Sequence, residues 1–159
     1  MEVKQGHKEY LLHEVPKLLE RLTADVEPRF GLMTARHMVE HLTWTTKILT
    51  KRKGEVTDPP TKSQLFFKKF IHEYGAVFQY RPSDKTKADL PPLKYDDFEE
   101  AKAQVAVAIQ RFYNHFDANP DFKCYNPMMG ELGYGELSLQ VYQHVRHHLY
   151  QFHLLEQYP

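Results

Sequence analysis

Ten histidines stand among 159 residues. Four of them form two pairs at i,i+4 spacing: His37 with His41, and His144 with His148. On a helix such partners lie one turn apart on the same side, about 6 Å along the axis. Two imidazoles so placed can share one metal ion. The C-terminal segment ELSLQVYQHVRHHLYQFHLLEQY gathers Leu137, Val141, Val145, Phe152 and Leu155 on one helical face. His148 points within that face and His144 lies at its edge. His147 falls on the polar side beside Arg146, where both are expected in solvent. The upstream pair sits on a segment whose apolar face is Ala35, Met38, Val39, Leu42 and Leu49. His41 flanks that face and His37 lies further round, so His41 is the one expected to meet His144 and His148 in the interior.

Two other readings of the same residues stay open. A buried histidine pair can be hydrogen-bonded core. Against that, two neutral imidazoles among Leu and Val are costly without partners, and a metal satisfies both at once. His37-Met38-Val39-Glu40-His41 also spells H-x-x-E-H, the pattern of inverted zinc peptidases, in which the glutamate is general base. There the third ligand would be an unspecified acid, and Glu40 points away from the apolar stripe. His7, His13, His72, His115 and His153 are isolated and read as surface or satisfied core residues.

Other chemistries find little footing. There is no Gly-rich phosphate loop, no G-x-S-x-G elbow and no C-x-x-C. Cys124, the single cysteine, reads as a buried inert thiol and excludes an internal disulfide. Lys+Arg and Asp+Glu are both 21, giving no basic excess for nucleic acid. Hydrophobic residues make up 42%, enough for one domain with its own core. No apolar run approaches the roughly 20 residues of a membrane span, and the N-terminus lacks the apolar stretch of a signal peptide. A cytoplasmic protein acting on a small molecule, without nucleic acid or membrane as partner, is the expectation.

The elements that must position the histidines read as helices. Residues 8–22 carry leucines and valine at helical spacing, with Pro16 marking the first turn of the helix proper. Thr34 is the predicted N-cap of a helix over 34–52, closed by Lys51, Arg52, Lys53 and Gly54. A shorter helix covers 61–74 with Leu65, Phe66, Phe70 and Ile71 as its apolar stripe. Residues 75–95 read as mostly irregular. Asp97 and Glu100 suggest a capping box opening a helix over 97–117. Residues 121–135 are a turn-rich connector, and the last helix spans 136–156. The fold class is all-α, a helical bundle whose sites are built from inward side chains on facing helices.

The stretch His144-Val145-Arg146-His147-His148-Leu149-Tyr150-Gln151 resembles the final-helix signature of the DinB superfamily: a histidine, three residues, a second histidine, then a glutamine. Residues 28–42, PRFGLMTARHMVEHL, resemble the proline-aromatic-glycine turn that leads into the helix carrying the first histidine in one branch of that superfamily, a branch of unknown function. Leu149 and Tyr150 depart from the arginine and glycine common there. The resemblance implies a DinB-like four-helix bundle with long connectors and a three-histidine site, with His41, His144 and His148 as ligands. His37 stands where the family usually has no ligand. The implied cofactor is a divalent transition metal, zinc, nickel or iron(II), with a low-molecular-weight thiol as a further participant. The implied activity is that of a hydrolase or thiol-dependent transferase, and homodimers are common among relatives. Gln151 is either an orienting group beside the metal or a flanking polar residue, and Glu40 is a weaker candidate for a base. A helical binding or dimerisation module with no metal is the alternative.

Overall fold

The computed structural model describes residues 1–75 and 82–159. The chain is mostly helical, with a single two-stranded antiparallel hairpin among the described residues. Helix begins well before Pro16. α1 spans Gln5–Glu9, a π turn covers Tyr10–Glu14, and α2 spans Val15–Glu20. Pro16 does occupy the first turn of α2, but helix rather than loop precedes it. Proline lacks an N–H, and its ring crowds the carbonyl four residues back. The wider π turn makes room for that ring, with the Val15 N–H reaching the Tyr10 carbonyl. Leu11, Val15, Leu19 and Leu22 are all buried along this stretch.

α3 spans Ala35–Lys47, opened as predicted by Thr34, whose hydroxyl accepts the His37 N–H at 3.2 Å. It stops short of the predicted end. A 3-10 turn covers Ile48–Thr50, and Lys51 is already extended. Ala35, Met38, Val39 and Leu42 are buried.

α4 spans Lys62–Tyr74 and opens on a capping box between Thr61 and Gln64. Of its predicted apolar stripe only Ile71 is buried; Leu65, Phe66 and Phe70 face solvent. The helix is attached through other side chains. Gln64 donates to the Tyr125 hydroxyl and the Pro127 carbonyl, and Lys68 donates to the Glu131 carbonyl at 2.6 Å.

Part of the predicted irregular stretch, residues 76–81, lies outside the described residues; the rest includes a short 3-10 turn at Lys87–Asp89. α5 spans Phe98–Ala118, and Asp97 caps it through the Glu99 N–H at 3.1 Å rather than by an exchange with Glu100. The connector over 121–135 contains a hairpin. β1 (Cys124–Asn126) pairs with β2 (Gly130–Leu132) in the register Cys124 to Leu132 and Asn126 to Gly130. The Asn126 side-chain carbonyl shapes the turn by accepting the N–H groups of Met128 and Met129.

α6 spans Tyr134–Gln151, starting before the predicted 136 and ending before 156. Its end is a left-handed C-terminal turn. His153 has φ of 61°, Leu154 donates to the Leu149 carbonyl, and His153 donates to the Tyr150 carbonyl. α3 packs on α5, α2 packs on α5, and α6 packs on both α1 and α3. The core is aromatic, with Phe112, Tyr113, Phe116 and Phe152 all buried. Among the described residues no helix is long and apolar enough to cross a membrane.

Candidate metal centre

α3 and α6 bring together the three histidines singled out by spacing. His144 Nε2 lies 3.0 Å from His41 Nε2 and 3.0 Å from His148 Nε2. One ligand atom from each of the three lies within 4.8 Å of the others. His148 is buried; His41 and His144 are half-buried. In a tetrahedral zinc site with Zn–N near 2.0–2.1 Å, neighbouring ligand nitrogens are about 3.3 Å apart. The two separations from His144 are already close to that spacing.

Gln151 fixes which nitrogen His148 offers. The Gln151 Nε2 donates to the Phe30 carbonyl at 2.8 Å, and that carbonyl can only accept. The amide oxygen therefore faces His148 Nδ1, at 2.7 Å, and accepts its proton. His148 Nε2 is left with a bare lone pair aimed at His144. A single N–H on His144 Nε2 cannot satisfy both neighbours with straight hydrogen bonds. A divalent ion would satisfy all three nitrogens, and an imidazole held by an outer hydrogen bond is the usual arrangement around one.

The electrostatics keep the ring nitrogens free to ligate. Burial pushes His148 down to about 3, assisted by His41 and His147, against the opposing Gln151 contact. Burial also holds His144 well below the ordinary histidine range, with His148, His41 and His147 adding to the effect. His41 is lowered by burial and by His147. All three are neutral near pH 7, the form that binds metal.

The H-x-x-E-H residues do not assemble as a site. His37 Nδ1 meets the Thr34 hydroxyl at 2.7 Å, and its Nε2 meets the Pro91 carbonyl at 3.0 Å. The Glu40 carboxylate accepts the N–H groups of Lys94 and Tyr95, each at 2.9 Å. Arg36 donates to the carbonyls of Tyr95 and Asp96. His37, Glu40 and Arg36 thus pin residues 91–96 along α3. His147 is also corrected. It is buried, its ring lies 5.3 Å from Phe30 and its Nδ1 meets the Tyr158 hydroxyl at 3.0 Å. Those covers come from outside α6, so the helical face alone could not reveal them. Cys124 is buried, donates to the Lys51 carbonyl at 3.2 Å, and has its thiol pushed up by burial.

Beside the trio lies a cavity of about 400 Å³. Its walls come from Met33, from α3 and from residues 90–95, and include His37, Glu40, His41, Trp44, Leu90, Pro91 and Tyr95. His41 belongs to both the cavity and the trio. Sequence reasoning missed this wall because it needs the long connector folded back on α3. Compared with protein-family models, curated proteins and solved structures, the chain matches none.

Proposed function

We propose that this protein is a metal-dependent enzyme on a DinB-like four-helix bundle, holding one divalent transition metal on His41, His144 and His148. The four long elements would be α1 with α2, α3, α5 and α6, with α4 and the hairpin set outside them. The observation that carries the reading is the convergence of three imidazoles with the His148 tautomer set by Gln151 and the Phe30 carbonyl. All-imidazole ligation suits zinc, nickel or iron(II). Three protein ligands leave a position open, where the ion would supply a Lewis acid to a substrate or a thiol.

The chain's own residues have separable parts. Gln151 positions His148 and holds its Nδ1 proton. Glu40 and His37 hold the cavity wall, so neither is assigned as base. His41 stands at the boundary between cavity and trio, which is where a small-molecule substrate would approach. A hydrolase or a thiol-dependent transferase fits this arrangement. The cavity favours an enzyme over a closed structural module.

Elemental analysis of protein purified without a metal-affinity tag tests the reading, beside His148→Ala. About one equivalent of transition metal in the parent, lost in the variant, is expected. No bound metal, together with no thermal stabilisation by added zinc or nickel, would sink it.

A further inference from the structure

The cavity beside His41 has a chemical character of its own. Most of its lining is apolar and flat: Trp44, Tyr95, Pro91, Pro92, with Met33 and Leu90. Two lysines, Lys47 and Lys94, also line it. Neither ammonium has an ion-pair partner among the described residues. The one carboxylate in the wall, Glu40, is engaged by two backbone N–H groups of the loop. The His37 ring is likewise held on both nitrogens. The uncommitted polar groups of the lining are therefore the buried Thr43 hydroxyl and the side chains of two cationic residues.

From this we infer that the cavity binds a small aromatic molecule bearing one acidic group, its ring against Trp44 and Tyr95 and its anion read by Lys47 and Lys94. Flat rings gain both burial and face contact against such a wall. A charge-assisted contact to an ammonium is worth more than a neutral one and discriminates against the uncharged analogue. The inference rests on the proposed function only in making such a molecule the substrate; the binding itself does not depend on the metal.

Trp44 is the single tryptophan of the chain and stands in the cavity wall, so its emission reports on this place alone. Two probes share one ring system: 1-anilinonaphthalene-8-sulfonate, which is anionic, and N-phenyl-1-naphthylamine, which is neutral. Energy transfer from Trp44 to each probe is titrated in the full chain. Both probes are expected to show it. Lys47→Met with Lys94→Met should weaken the sulfonate about tenfold, the size of one charged contact, and leave the neutral probe within about twofold. Phe66→Ser, on the exposed face of α4, should change neither titration. The inference is overturned if neither probe draws energy from Trp44, if both lose affinity alike in the lysine variant, or if the sulfonate is unaffected by it. Elemental analysis of the same parent chain beside this titration separates the two proposals. A retained probe contrast without metal leaves this binding site standing and removes the metalloenzyme; bound metal without the contrast does the reverse.

Discussion

α3 and α4 are each 13 residues long, and each opens on a threonine whose hydroxyl accepts the N–H three residues on. Their surroundings differ. α3 buries Ala35, Met38, Val39 and Leu42 and delivers His41 to α6. α4 buries Ile71 and Gln64 and leaves Leu65, Phe66 and Phe70 in solvent. What holds α4 is polar. Besides Gln64 and Lys68, His72 Nε2 meets Glu136 at 2.6 Å, and Glu136 also accepts the Gly133 N–H that opens α6. Caps and periodicity decide where a helix forms; partners from elsewhere in the chain decide which face is interior. His41, the one member of the histidine trio outside α6, sits on the helix with the apolar anchor.

The contrast can be broken most directly at Leu42. Leu42→Ala should cost about 2–5 kcal/mol in urea unfolding, because it empties a fully buried site. A loss no larger than that of an exposed residue would abolish the distinction between the helices. At the other anchor of the trio, Gln151→Leu should keep the fold and lower metal affinity roughly 10–100-fold in chelator competition. Unchanged affinity would show that the Phe30–Gln151–His148 chain does not orient the ligand.

Acid should separate the regions further. In metal-free protein the trio binds protons in the unfolded chain, near 6.5, but resists them when folded, with His148 at about 3. Stability is therefore complete above about 6.5 and is lost as pH falls below it. For Glu136, burial raises the carboxyl, but the Gly133 N–H, His72 and Lys68 outweigh it and leave the group below 4.5. Its contribution is present above that value and is lost beneath it. Urea midpoints should fall between pH 7 and pH 5, and less steeply in His144→Asn.

The caps sharpen the comparison from the opposite side. Thr34→Ala and Thr61→Ala should each cost about 1 kcal/mol, since the same contact is lost whatever the helix packs on. Smallest of all, Leu65→Ser should stay within about 0.5 kcal/mol by the same urea titration.

Much of this arrangement was legible in the residues. Thr34 and Asp97 announced their helices through local chemistry, and i,i+4 periodicity singled out His41, His144 and His148. Long-range cover was not legible. His147 owes its burial to Phe30 and Tyr158, and Leu65, Phe66 and Phe70 of the α4 stripe stay outside the buried core. The end of α6 was hidden because His153, rather than glycine, takes the left-handed turn. The hairpin was hidden because its strands are three residues long and its turn rests on Asn126.

The π turn at Tyr10–Glu14 makes the first helix serve two neighbours. α1 packs on α6, where His7 stacks on Tyr142 at 3.7 Å between ring centres, while α2 packs on α5. A straight rod would advance about 100° per residue without interruption. The wide turn holds one residue more than an α-helical turn, and so resets the angular phase between the two halves. Chain length is therefore counted here: deleting one of the exposed pair His13 and Glu14 would return the rod to a single phase, and either the stack on Tyr142 or the seating of Val15 and Leu19 would have to give way.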